Sequence, residues 1–223
     1  MRRGSFPPVI RTKRDPWASL KGAAQRRPFQ NKEMLYFAGS LADELYLLEE
    51  GRVRLYNHSS QDRVLTLSIV EPGDVFGEMV LFPGRRHASH AQALADGMLY
   101  AVPPQELERL LNQDPTLVLE VMKNLGERLQ AVERRLGDLV FKSVPERLAA
   151  LLLDMVGPSA SQGDGPTQLP YRYTHQQFAE MINTHRETVT KVFNRFRDGR
   201  LLDFDRRQIV LLDMERLREM ALR

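Results

Sequence analysis

From Val118 to Leu139 the apolar residues Val118, Met122, Leu125, Leu129, Val132, Leu136 and Leu139 fall at intervals of four, three, four, three, four and three. A helix buried in its own domain would show a wider stripe drifting at about 3.6 residues per turn. The strict alternation instead predicts the seam of a parallel coiled coil over about three heptads. The chain is therefore expected to act as a homodimer. Asp114 stands where an N-cap belongs and Pro115 at the first helical position, and Ser143-Val144-Pro145 ends the helix. This places a dimerisation helix at 114–142 and a domain boundary behind it.

A long exposed helix needs a folded unit on each side, and 223 residues allow two modest ones. Ahead of the helix, residues 31–113 carry short β-rich runs separated by turn residues. Leu45–Leu48, Glu50-Gly51 and Val53–Tyr56 read as a hairpin, with Gly51 supplying the positive φ of a tight turn. Val64–Val70 alternates as a strand up to Pro72-Gly73-Asp74, and another alternating segment runs from His87 to Val102. Strands at this spacing predict a small β-roll, followed by a short helix over Glu106–Gln113. Residues 1–30 hold eight Lys/Arg against Asp15 alone, with Pro7-Pro8, Pro16 and Pro28, and read as a basic lead-in. Residues 31–115 reverse the balance, with seven Lys/Arg against thirteen Asp/Glu.

Behind the helix, residues 143–223 carry a second helical amphipath at Glu146–Met155, a Gly/Ser-rich loop at Gly157–Gly165, and then THQQFAEMINTHRETVTKVFNRFR at 174–197. Phe178, Ala179 and Ile182 form one apolar block, and Val189, Val192, Phe193 and Phe196 another, interrupted near Asn183-Thr184. Two short helices joined by a tight turn follow from that pattern, with Thr174 as N-cap of the first. On the second, Arg186, Glu187, Lys191, Arg195 and Arg197 occupy the face left by the apolar stripe. A helix-turn-helix that lays its second helix in the DNA major groove needs this division of faces. Leu201–Phe204 and Ile209–Leu212 bracket the polar turn Asp205–Gln208 and predict a wing.

The chain has no cysteine, which excludes disulfides, thiolate metal sites, iron–sulfur clusters and a cysteine nucleophile. No segment approaches the roughly 18 apolar residues of a membrane span, and no apolar signal region follows the basic N-terminus. A cytoplasmic protein with no membrane partner is expected. His87 and His90 lie three apart, on opposite sides of a strand, and no metal site is expected from them. With no catalytic constellation in the chain, an enzyme is not expected; a cupin-type metalloenzyme would cluster its histidines on one barrel face.

The order β-roll, long helix, winged helix resembles the cyclic-AMP receptor protein/FNR family of bacterial transcription regulators over about residues 30–215, an α+β fold. The resemblance rests most on Arg186-Glu187-Thr188-Val189 with Lys191, and further on Gly51, Pro72–Glu78 and Arg128-Leu129-Gln130. It implies a homodimer on an inverted-repeat DNA site, acting as an activator that touches RNA polymerase. Arg186 can donate a bidentate fork to guanine O6 and N7, and Glu187 can accept from cytosine N4, or from adenine N6 with less discrimination. Lys191 stands where the family often has Arg and acts as a point charge. The implied half-site is TGTGA-like, with relaxed preference under Lys191. Thr174, His185 and Thr188 match family positions that bind phosphate.

The effector pocket departs from the resemblance. In members that bind cyclic AMP, an Arg-Ser pair in the loop after Gly-Glu holds the cyclic phosphate and the Glu binds the ribose. Gly77 and Glu78 are present. His87 and Ala88 stand where the Arg-Ser pair belongs, and Arg85 and Arg86 are near but out of register. Val132 and Glu133 replace the pair that would hydrogen-bond adenine. The expectation is a regulator with no cofactor, active without cyclic AMP. A cyclic-nucleotide-responsive or other ligand-responsive regulator is the alternative, and a ligand-binding module acting on a partner protein is the alternative outside DNA binding.

Overall fold

The computed structural model describes residues 15–60, 63–161, 165–205 and 208–222. The arm ahead of residue 15, positions 162–164 of the Gly157–Gly165 loop, and positions 206–207 of the wing turn lie outside the described residues.

The N-terminal domain contains α1 (Ala18–Ala23), β1 (Gln25–Phe29), β2 (Met34–Tyr36), β3 (Leu45–Glu50), β4 (Val53–His58), β5 (Val64–Val70), β6 (Val75–Phe76), β7 (His90–Ala93), β8 (Gly97–Val102) and α2 (Pro104–Gln113). Two four-stranded sheets face each other, ordered β1-β8-β3-β6 and β2-β7-β4-β5. Between them lie Phe29, Tyr36, Tyr46, Leu48, Leu55, Phe76 and Leu99. The outer face of the first sheet carries Leu45, Leu47 and Val102, which pack under Trp17, Leu20, Leu107 and Leu110 of the helices. β3 is thus covered on both sides, which accounts for its unbroken apolar run.

Residues 15–30 differ from the lead-in expected of them. Trp17 and Leu20 are buried beneath α2, and β1 pairs with β8 from Gln25↔Ala101 to Phe29↔Gly97. Two large apolar side chains suffice to dock a six-residue helix, and Pro28 is tolerated because β1 is an edge strand. The roll therefore begins well before residue 31.

The expected β3–β4 hairpin is also absent. β3 pairs with β8 and β6, whereas β4 pairs with β5 and β7. Gly51 turns a corner between the two sheets at φ 88°, where a Cβ would sit 2.8 Å from the Asp96 carbonyl oxygen. The same left-handed glycine that closes a hairpin also serves such a corner.

The long helix α3 (Pro115–Phe141) starts at Asp114, whose carboxylate accepts from the Thr116 and Leu117 N–H groups and from the Ser19 hydroxyl. Leu117 and Val121 are buried against the roll, and Leu125 packs partly on the same cluster. Of the predicted seam, Met122, Leu129, Val132 and Leu136 are exposed, while Val118, Leu125 and Leu139 are half-buried. Leu119, Val140 and Phe141 are exposed as well. The free apolar stripe is thus rotated from the predicted one, because α3 spends part of its apolar surface on its own roll.

The C-terminal domain comprises α4 (Val144–Ser161, interrupted at Gly157 with φ 73°), β9 (Thr167–Gln168), α5 (His175–Met181), α6 (Arg186–Asp198), β10 (Leu202–Phe204), β11 (Ile209–Leu211) and α7 (Met214–Ala221). The sheet order β10-β11-β9 forms the wing. Leu148, Leu152, Phe178, Val189, Phe193, Phe196, Leu202, Leu211 and Leu217 fill its core.

Candidate nucleic-acid interface

The turn between α5 and α6 is built from its end groups. Thr174 and Gln177 form a reciprocal capping box: the Gln177 N–H donates to the Thr174 hydroxyl oxygen and the Thr174 N–H donates to Gln177 Oε1. The Thr184 N–H closes onto the Ala179 carbonyl at 3.0 Å, with Asn183 between them in the left-handed region at φ 50°. Val189, Val192, Phe193 and Phe196 are buried, which fixes the roll of α6 about its axis. Arg186, Glu187 and Lys191 are consequently exposed on one face, together with Arg195. Among the described residues no carboxylate pairs with Arg186, Lys191 or Arg195, so these cations are available to an outside anion.

The residues matched to phosphate positions fare differently. His185 is exposed and N-caps α6 without a side-chain cap bond. Thr188 is half-buried, and the Thr174 hydroxyl also lies 3.2 Å from Gln177 Oε1, so its main structural work is the cap. His175, which the sequence did not single out, bonds Thr190 at 2.9 Å and stacks on Phe193. Burial, reinforced by the Arg186 and Arg172 cations, holds its pKa below the ordinary histidine value. A cleft of about 700 Å³ between α5, α6 and the wing brings His175 together with Arg172, Thr174 and Arg186.

The reader is docked on the roll of its own chain. Arg54 on β4 donates to Glu180 on α5 at 2.6 Å and to Gln92 on β7. Arg52 lies over the Tyr171 ring at 3.8 Å and the Tyr173 ring at 5.1 Å. Arg63, leading into β5, reaches His185 Nε2 at 3.2 Å. Sequence periodicity carries no signal for the contacts between roll and reader, because each of those links residues more than a hundred positions apart.

Inside the roll, the residues matched to an effector pocket do not converge. The Glu78 carboxylate accepts from Arg128 of α3 at 2.7 Å, and Arg128 also donates to the Val75 carbonyl. His87 is buried and stacks face to face on Tyr36, with ring centroids 3.6 Å apart. Its Nε2 is buried with no hydrogen-bond partner. Tyr36 in turn stacks on Tyr46, and Tyr46 on Phe76. Burial raises the Tyr36 phenol well above its ordinary range. Arg85, Arg86 and Ala88 are exposed, and Arg86 donates outward to the Gly39 carbonyl at 2.7 Å. Gly77 adopts φ 78° ahead of the turn at Glu78–Leu81.

Residues 26–114 match the cyclic nucleotide-binding domain family and residues 146–220 the Crp-like helix-turn-helix domain family. The chain is 33% identical over 180 residues to the transcriptional regulator SdrP of Thermus thermophilus, covering 80% of this chain and 84% of that one. The chain belongs to the CRP/FNR family. It is also 25% identical over 204 residues to the CRP-like cAMP-activated global transcriptional regulator of Mycobacterium tuberculosis, covering 92% of this chain and 91% of that one. The crystal structure of a CRP/FNR-family transcriptional regulator from Thermus thermophilus superposes with TM-score 0.73 at 30% identity, over 89% of this chain and 99% of that one.

As a CRP/FNR protein the chain is a DNA-binding transcription regulator with a cyclic-nucleotide-binding-type roll. Among the described residues no helix is long and apolar enough to cross a membrane. Nor do three or more metal-ligating side chains cluster there.

Proposed function

We propose that this CRP/FNR regulator is a homodimer that reads an inverted-repeat, TGTGA-like site without needing cyclic AMP. The observation that carries the reading is the exposed face of Arg186 and Lys191, neither of which pairs with a carboxylate among the described residues, with Glu187 between them on a helix whose other face is buried. Arg186 supplies the fork to guanine, Glu187 an acceptor for cytosine, and Lys191 a single charge one turn further on. Two readers set by the exposed stripe of α3 would address half-sites about 34 Å apart. Action in the cytoplasm as an activator contacting RNA polymerase is part of the proposal and rests on family kinship.

Independence from cyclic AMP is supported by the chemistry of the pocket. A cyclic phosphate needs cationic or N–H donors, yet the position matched to its arginine holds a histidine stacked on Tyr36. The acid matched to the ribose is already paired with Arg128. Arg86 is spent on a surface carbonyl. The stack of Tyr36, Tyr46 and Phe76 fills part of the core between the sheets with aromatic rings, whose faces offer no donor to a cyclic phosphate.

Mobility shift on a palindromic TGTGA duplex and on a scrambled one tests the reader. Arg186→Ala is expected to lose about 1–3 kcal/mol on the palindrome and little on the scrambled duplex. Equal binding by mutant and wild type refutes the assignment. Thermal-shift titration with cyclic AMP tests the pocket, and stabilisation well above about 1 kcal/mol at millimolar ligand contradicts the ligand-free reading.

A further inference from the structure

Several arginines that meet another element in this protein end on a carboxylate. Arg27 pairs with Glu44, Arg54 with Glu180 and Arg128 with Glu78. Arg63 does not. Its guanidinium reaches out of the β4–β5 hairpin to the imidazole of His185, at 3.2 Å, and both side chains are exposed. Among the described residues neither has an acid partner. A guanidinium against an imidazole gains little charge stabilisation, and less still if the imidazole is protonated. The group that would satisfy both is an anion arriving from solvent.

The placement is not accidental to one rotamer. The hairpin is pinned to the reader further along β4, where the Arg54–Glu180 pair is largely buried and Arg52 stacks on Tyr171. The Ser59 N–H donates to the Arg63 carbonyl and the Arg63 N–H to the Ser59 hydroxyl, which closes the hairpin on its cross-strand partner. Arg63 is therefore carried on a braced ribbon that reaches the N-cap residue of the reading helix. The contact lies at His185, immediately before Arg186 and Glu187. The docked roll leaves those two side chains and Lys191 exposed.

We infer that Arg63 is a DNA-backbone contact supplied by the roll, gripping a phosphate beside His185 when the recognition helix enters the groove. The inference rests on the DNA-reading proposal for α6 and extends it: the sensor-type domain takes part in holding the duplex. Each dimer gains two such contacts, one on each half-site. Phosphate contacts set register and affinity and carry no base preference.

The test is fluorescence anisotropy with the full-length homodimer on the palindromic and scrambled duplexes over a range of salt concentrations. Arg63→Ala should weaken both probes alike, by roughly three- to tenfold, and flatten the log–log salt dependence by about two for the dimer. Arg63→Lys should keep most of the slope, and Arg63→Glu should fall below Arg63→Ala. Arg186→Ala, by contrast, should lose the palindrome selectively. Thermal melting of each variant checks that the fold is kept; the exposed position predicts no loss. If Arg63→Ala binds as tightly as wild type while Arg186→Ala loses the palindrome, the DNA reading stands and the inference fails. Tighter binding by Arg63→Ala also overturns it, by making the hairpin an obstacle to DNA. A wild type that binds neither duplex removes the DNA reading and the inference together.

Discussion

Arg54 of β4 and Glu180 of α5 meet at 2.6 Å with side-chain exposures of 17% and 11%, the least exposed ion pair joining the roll to the reader. Arg54 also donates twice to Gln92, so the guanidinium is held by both domains. A pair this sheltered is screened far less than a surface one. Leaving one charge behind without its partner is costly for the same reason.

A double-mutant cycle measures that relationship. Arg54→Ala and Glu180→Ala are each expected to destabilise the docked arrangement by about 2–3 kcal/mol, with a coupling of about 1–2 kcal/mol. Urea unfolding followed by circular dichroism and by Trp17, the single tryptophan and a buried residue of the roll, reads both domains. Strict additivity of the two substitutions would show that the pair does not link the domains.

Asn183 turns the chain between α5 and α6 at φ 50°. An L-residue pays roughly 1 kcal/mol in that region, asparagine somewhat less, and glycine almost nothing. Asn183→Gly should therefore be neutral to stabilising, by at most about 1 kcal/mol, while Asn183→Val should destabilise by about 1–2 kcal/mol. Differential scanning calorimetry of the two variants decides the matter. A Gly variant that melts several degrees lower would mean that the Asn183 side chain holds the turn.

His87 is buried against Tyr36 with Nε2 unpaired, and burial lowers its pKa despite the opposing pull of Asp43 and Glu78. The folded protein thus binds this proton less readily than the unfolded chain, whose histidine titrates near 6.5. Stability from the neutral ring is complete above that value and declines as the pH drops below it toward the lowered pKa. His90 and His175 shift in the same direction, also through burial, and steepen the acid limb. His87→Phe keeps the stack, removes the orphaned nitrogen and should shallow the acid limb below about pH 6.5. A variant with the wild-type pH profile would assign the acid sensitivity to the other two histidines.

What could be read from the sequence was whatever is local. The apolar stripe of α6 and the caps at Asp114 and Thr174 follow from spacing and end-group chemistry within a few residues, and the structure has them in place. The reading face of Arg186, Glu187 and Lys191 followed because burying one side of a short helix leaves only the other. Gly51 misled because one backbone conformation serves a hairpin and a sheet corner alike. Residues 15–30 misled because two buried side chains are too few to register as a periodic pattern. Arg54–Glu180, Arg63–His185 and Tyr36–His87 were out of reach, since each depends on how sheets and domains come together.

The dimer is best challenged on the free side of α3. Leu129 is 59% exposed and Leu136 61%, whereas Leu117 and Val121, nearer the start of the helix, are already buried in the roll. Replacing an outward residue should leave the protomer folded, while replacing an inward one should not. Leu129→Asp with Leu136→Asp places two carboxylates per chain where the partner helix is expected, each desolvated and facing its symmetry mate. The expected outcome is a monomer by light scattering with wild-type circular dichroism, and loss of tight binding to the palindrome but not to a single half-site. Leu117→Asp, as the comparison, should unfold the roll at an expected cost of about 3–5 kcal/mol, since it buries an unpaired charge. A double variant that stays dimeric would move the interface off α3. Binding to the palindrome would then require another arrangement of the two readers.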